Sequence, residues 1–149
     1  QFLRVENVSK PFIKKLLKRG CITVSSEETI KQVAAILAKN SIGAAFVTNK
    51  NEEVIGIVSE RDIVRNLNNL IVDITSEKVA TIMTKSVISA PKTVSSSDLM
   101  EIMTENKIRH VVIMEEKALL GIVSIGDVVK RLIEKLEGEA EQLRSFINS

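Results

Sequence analysis

The sequence predicts an α+β protein made of one strand–helix–strand–strand–helix unit used twice. Three observations carry this. First, Gly56-Ile57-Val58-Ser59-Glu60-Arg61-Asp62-Ile63-Val64-Arg65 returns as Gly121-Ile122-Val123-Ser124-Ile125-Gly126-Asp127-Val128-Val129-Lys130, 65 positions later in a chain of 149 residues. Each copy reads as the end of a buried strand running into a helix, and an internal repeat fixes architecture before any local assignment. Second, Asn40-Ser41-Ile42 returns as Asn106-Lys107-Ile108 at an offset of 66. The lost residue falls in a polar turn, where indels belong. Third, each turn is flanked by short apolar runs, Ala44 to Thr48 with Val54 to Val58, and Val111 to Met114 with Leu119 to Val123. Such pairs read as hairpins.

The elements follow in order. Phe12, Ile13, Leu16 and Leu17 lie at helical spacing opposite Lys14, Lys15, Lys18 and Arg19, with Pro11 suited to a first turn. This lead-in helix, residues 10–19, is expected to dock on the first repeat. Cys21 to Val24 is a β-rich run. Ser25 stands three residues before Glu28, a capping-box pattern, and Ile30, Val33, Ala34 and Leu37 form a buried helical stripe that Gly43 closes. Ser59 starts a helix carrying Ile63, Val64 and Leu67, fading at Asn68 and Asn69. In the second unit Val87 to Ala90 is the first strand. Val94, Ser95 and Leu99 suit a staple around an N-cap, and Leu99, Ile102 and Met103 face inward. Past Lys130, Leu132, Ile133, Leu136, Ala140, Leu143 and Ile147 continue a helical stripe among Glu and Lys. A stripe outlasting its globular unit calls for a cover, and a partner subunit is the expected one. The boundaries are then residues 8–69 for the first unit, 70–82 for a linker, 83–137 for the second unit and 138–149 for a helical extension.

Composition narrows the function classes. Hydrophobic residues are 44%, charged 27% and aromatic 3%, with no Trp or Tyr. There is little surface for stacking bases, and a net charge of +2 does not by itself point to nucleic acid. RNA binding through the lead-in helix is a minor alternative, and DNA binding is not expected. The lone Cys21 allows no intramolecular disulfide or cysteine metal cluster, and fits a reducing cytoplasm. It is expected to be a small buried residue. No apolar run approaches the roughly 20 residues that cross a bilayer. No nucleophile–base pair, metal-ligand spacing or P-loop is evident, so no enzyme, metal or required cofactor is expected.

A strand–helix–strand–strand–helix unit ending in Gly-h-h-Ser-x-x-Asp (h apolar), present twice in tandem, resembles the CBS domain, named after cystathionine β-synthase. Ile108-Arg109-His110-Val111-Val112 before the second hairpin strengthens the match, which covers roughly residues 8–137. The resemblance implies two units packed sheet to sheet about a pseudo-two-fold axis, a Bateman module, with two clefts between them. These would take AMP, ADP or ATP, with S-adenosylmethionine behind them, and signal to an effector protein. A homodimer is the assembly it implies.

The residue chemistry suits that expectation. One carboxylate can accept from both hydroxyls of a ribose, which points to Asp62 and Asp127. Phosphate favours the N–H groups of a helix N-terminus beside a hydroxyl, here Ser59 and Ser124. Arg61, Arg65, Arg109 and His110 can add charge-assisted bonds. Taken alone, Ser-x-x-Asp is equally a helix cap. The resemblance pairs each Ser/Asp with the other repeat. The main cleft is expected to hold Ser59, Arg61, Asp62, Met83, Ile88, Arg109 and His110. The second, expected to be weaker, holds Ile22, Ser124 and Asp127, because the first repeat offers no cation at Gly43-Ala44 and Gly126 replaces Arg61. A CBS-like interaction scaffold without nucleotide sensing is the alternative.

Overall fold

A computed structural model describes residues 11–68 and 73–148. It contains two three-stranded mixed sheets with helices. The chain forms two compact units, but they do not follow the repeat boundaries. One runs Gly20–Ile88. The other joins the lead-in residues up to Arg19 to the chain from Ser89 onward.

In the Gly20–Ile88 unit, β1 (Thr23–Ser25) pairs parallel with β2 (Ala44–Thr48), which pairs antiparallel with β3 (Val54–Ser59). Helix α2 (Ile30–Lys39) and α3 (Glu60–Leu67) complete the repeat. Val24, Ile30, Val33, Ala45, Val47 and Val58 form a closed apolar core. The α2 cap is not Ser25. Thr29 accepts from the Gln32 N–H while the Gln32 side chain accepts from the Thr29 N–H, a complete capping box. Ser25 and Glu28 do bond each other's backbone, but they build the turn before the helix. At its other end α2 closes on Asn40, and Ser41, not Gly43, takes the left-handed conformation (φ 52°). Lys107 does the same in the second repeat (φ 54°). On α3 only Ile63 is buried; Val64 and Leu67 are exposed.

The other unit repeats the design. β4 (Ser89–Pro91) runs parallel to β5 (His110–Glu115), which pairs antiparallel with β6 (Ala118–Ser124). Both hairpins slip register at the same place, Val47/Thr48 and Ile113/Met114, so even this irregularity is duplicated. Helix α4 (Ser96–Asn106) starts at the expected cap, Ser95, flanked by buried Val94 and Leu99. Helix α5 runs unbroken from Ile125 to Asn148, so no structural break separates residues 125–137 from the extension that follows.

Helix α1 (Pro11–Leu17) corrects the expected docking. Ile13 is fully buried with Leu99, Met103, Val111, Val123 and Val128, all from the second repeat. The reciprocal holds for the segment before the second repeat. Val79, at the head of a 3-10 turn, is fully buried in the first repeat's core, Thr84 bridges Ile57, and Val79 N–H bonds the Glu28 carbonyl at 2.8 Å. Each repeat is therefore completed by the segment that precedes the other. Local periodicity showed which face of α1 is apolar, but a helix of seven residues cannot choose its own groove. The chain changes unit at Gly20, whose φ of +76° suits glycine.

The two repeat glycines lie under these exchanged segments. A Cβ on Gly56 would stand 2.9 Å from the Thr84 carbonyl oxygen and 2.9 Å from Met83 Sδ. One on Gly121 would meet only the end of the Leu17 side chain, at 2.8 Å. Backbone cannot yield as a leucine tip can. Gly56→Ala is expected to cost about 2–3 kcal/mol in urea unfolding and Gly121→Ala about 1 or less, although the motif makes them equivalent. Equal costs would show that Thr84 is not fixed against β3.

Candidate functional site

Two strand-to-helix junctions carry the candidate chemistry. At the first, Ser59 ends β3 in extended conformation and caps α3. Its Oγ accepts from the Asp62 N–H at 3.2 Å. Asp62 Oδ2 accepts from the Ser59 N–H at 2.8 Å and from its hydroxyl at 3.1 Å. The second junction is a near copy. Asp127 Oδ2 accepts from the Ser124 N–H and hydroxyl, both at 2.9 Å, and Ser124 Oγ accepts from the Asp127 N–H at 3.2 Å. Both pairs are thus true capping boxes. A cap does not preclude binding, because it fixes a carboxylate at a helix N-terminus and leaves its second oxygen to other partners.

The two carboxylates differ in that second oxygen. Among the described residues, nothing donates to Asp62 Oδ1, and Asp62 makes no ion pair. Asp127 is gripped from both sides. Arg19 Nη1 donates to Oδ1 at 2.9 Å and Nη2 to Oδ2 at 2.8 Å, and Nη2 also reaches the Ile122 carbonyl at 3.1 Å. Gly43 and Ala44 offer Asp127 no cation, as expected from the sequence, but Arg19 does. The cation comes from the lead-in segment, 108 residues away in sequence, and it covers the carboxylate. In the sequence Arg19 stands only as one of four basic residues on a polar face. No sequence signal pairs it with Asp127 before the docking of α1 is known.

Burial raises the Asp127 pKa, but the Arg19 guanidinium and the Ser124 N–H and hydroxyl outweigh it and hold the carboxyl below its ordinary 3.8. The folded chain thus binds this proton more weakly than the unfolded chain does. The stabilisation is complete above the ordinary carboxylate value and drains away as pH falls through the lowered one. Arg19 is half exposed, so solvent screens the pair. Arg19→Met is expected to cost about 1 kcal/mol at pH 7. The difference from wild type should close in acid. A pH-independent difference would trace the loss to packing of the Arg19 stem.

The remaining expected residues separate by unit. Arg109 and His110 share a unit with Ser124 and Asp127: His110 lies directly across the β5–β6 ladder from Ser124, and the Arg109 carbonyl accepts the Ile125 N–H at 2.8 Å. Ala44 and Gly43 take the matching places opposite Ser59 and Glu60. Ser59, Arg61, Asp62 and Arg65 share the Gly20–Ile88 unit with Ile22, Met83 and Ile88, all three half-buried. Met83 lies over Gly56, and Ile22 offers its carbonyl to the Phe46 N–H. Among the described residues, two pockets lie beside the junctions. One of about 360 Å³ lies beside Gly43, Glu60 and Ile63 but includes neither Ser59 nor Asp62. One of about 290 Å³ is lined by Phe12, Lys15, Arg19, Asp127 and Lys130.

Cys21 is exposed rather than buried, because β1 starts only at Thr23. Among the described residues no group of three or more His, Cys, Asp or Glu could hold a metal ion, and no helix is long and apolar enough to cross a membrane.

Comparison with known proteins places these junctions in context. A family model for the CBS domain matches residues 13–69 and again 79–134. The crystal structure of a CBS-domain containing protein from Agrobacterium tumefaciens is similar at 38% identity and a TM-score of 0.73, over 79% of this chain and 90% of that one. A CBS domain protein from Pyrobaculum aerophilum, solved in complex with AMP, is 33% identical with a TM-score of 0.67, over 77% and 88%. A mitochondrial CBS domain-containing protein of Arabidopsis thaliana is 30% identical over 128 residues. That match takes in 83% of this chain but only 62% of the plant protein's length.

Proposed function

The chain belongs to the CBS-domain family as a tandem pair, and from that premise we propose that it is a regulatory module binding an adenine nucleotide, AMP, ADP or ATP, at the Ser59–Asp62 junction. The observation that supports the reading is the contrast between two otherwise duplicate carboxylates: among the described residues nothing donates to Asp62 Oδ1, whereas Arg19 closes Asp127. Asp62 takes the two ribose hydroxyls. The α3 N-terminus, the Ser59 hydroxyl and Arg61 favour the phosphates. Arg109 and His110 are proposed as further phosphate ligands, and Met83 and Ile88 as apolar contacts of the nucleoside. Ile22, Ser124 and Asp127 make a weaker site, or one for a less charged adenosyl compound such as S-adenosylmethionine. The AMP held by the Pyrobaculum relative supports an adenosyl ligand.

The reading is of a binding module rather than an enzyme, acting as a homodimer on an effector protein in the cytoplasm. The ligand reaches that effector only by binding two conformations unequally. Isothermal titration with AMP, ADP, ATP and S-adenosylmethionine tests it. Saturable binding near one site per chain supports the sensor. Silence with all four ligands reduces Ser-x-x-Asp to a pair of caps and leaves an interaction scaffold. Turnover of a ligand during incubation would overturn the non-catalytic reading.

A further inference from the structure

Helix α5 carries two separate apolar stripes. Val128 and Leu132 face the core with Ile13, Leu99 and Val123. The second stripe is Val129, Ile133, Leu136, Ala140, Leu143 and Ile147. At 100° per residue its centre lies roughly a quarter turn from the first. It is bare: Ile133 is 50% exposed, Leu136 65%, Leu143 61% and Ile147 72%. Its steps alternate between four and three residues without a break. That is the 3.5-residue period of a coiled-coil seam, not the wider face of a helix lying on a globular core.

We propose that this seam is a two-stranded parallel coiled coil with a second copy of the same chain. The heptad places Ile133, Ala140 and Ile147 at a, and Val129, Leu136 and Leu143 at d. Within a parallel coiled coil, Ile at a with Leu at d, as at Ile133, Leu136, Leu143 and Ile147, favours two strands over three or four. The flanking charges agree. In parallel register Glu139, at g, faces Arg144, at e, of the second copy, and the contact occurs twice by symmetry. The antiparallel register with most apolar layers would set Glu137 against Glu137, Glu139 against Glu139 and Lys130 against Arg144. All three meetings are repulsive. Gly138 falls at f, the outermost position, where an added Cβ meets nothing within 4 Å. The glycine inside the paired stretch is thus out of the seam. Fewer than three heptads are marginal as free peptides. Here the first turns of α5 are already fixed on the core through Val128 and Leu132, so little ordering is left for association. The proposal does not rest on nucleotide binding.

Sedimentation of the full chain at high micromolar concentration is the test. Wild type should be a dimer, and Leu136→Lys with Leu143→Lys should be a monomer whose core unfolds in urea as before, because both positions are exposed. Glu139→Arg and Arg144→Glu should each weaken the dimer roughly tenfold, and the double variant should regain it. In a Cys21→Ser background, Ile147→Cys should cross-link one copy to the other on oxidation. A monomeric wild type, or a dimer that survives the Leu136/Leu143 change, overturns the proposal. A Glu139→Arg variant that dimerises more tightly overturns the parallel orientation.

Discussion

Asp62→Ala is expected to abolish nucleotide binding in calorimetry, and Asp127→Ala to leave the tight site nearly unchanged. The two aspartates stand in the same capping box with the same serine contacts, so helix capping predicts equal effects. Only the ligand reading separates them. Each hydrogen bond from a sugar hydroxyl to a carboxylate contributes about 1.5–3 kcal/mol, so losing two weakens binding a hundredfold or more. Removing either carboxylate also strips an acceptor from its serine, at about 1 kcal/mol of stability. Asp62→Asn is the companion variant, since an amide oxygen keeps that acceptor and discards the charge. Loss of binding in both Asp62 variants, with unfolding midpoints close to wild type, identifies a ligand contact. A ranking that puts Asp127 first would sink the assignment.

Ile13→Ala is expected to destabilise the second repeat by about 2–5 kcal/mol in urea unfolding, the range for emptying a fully buried large aliphatic site. Most single-domain proteins have only 5–15 kcal/mol in total, so the change is large. Read from the sequence, Ile13 belongs to an amphipathic lead-in helix over residues 10–19 docked on the first repeat, and a mild effect confined to that repeat would be expected. In the structure its neighbours are Leu99, Met103 and Val128. Hydrogen exchange should therefore show faster opening of β5, β6 and α4, with β2 and β3 spared. Faster exchange in β2 and β3 would return α1 to the first repeat.

The same contrast shows where sequence reasoning reached and where it stopped. Residues that act on near neighbours were legible. Ser59, Ser95 and Ser124 sit at the starts of the helices they were expected to start, because a cap is decided within four residues. The hairpins were legible from alternation. The start of α2 was not, because Ser25/Glu28 and Thr29/Gln32 both offer a cap and the choice depends on Lys78 and Val79. Lys78 stands opposite Thr29 in an isolated bridge about 50 residues away in sequence: the Val79 N–H donates to the Glu28 carbonyl and the Glu77 carbonyl accepts the Ile30 N–H. The Arg19–Asp127 grip lay further out of reach. Nothing local distinguishes Arg19 from Lys14, Lys15 or Lys18, which share its face. Of the candidate site, the two junctions could be read from the chain, but the feature that makes them unequal could not.

The exchange of lead-in segments also sets an order of events during synthesis. Helix α1 emerges about a hundred residues before Val123 and Val128, against which it closes. At about 5–20 residues per second that is a wait of several seconds or more. Throughout it, Phe12, Ile13, Leu16 and Leu17 have no groove to enter. The first repeat waits too, though more briefly, for Val79 to Thr84. A ribosome that stalls between the repeats therefore holds no finished half. It holds a first repeat whose core lacks Val79 and an apolar lead-in segment, bearing Lys14, Lys15, Lys18 and Arg19, with no groove to enter, a form that chaperones and proteases recognise.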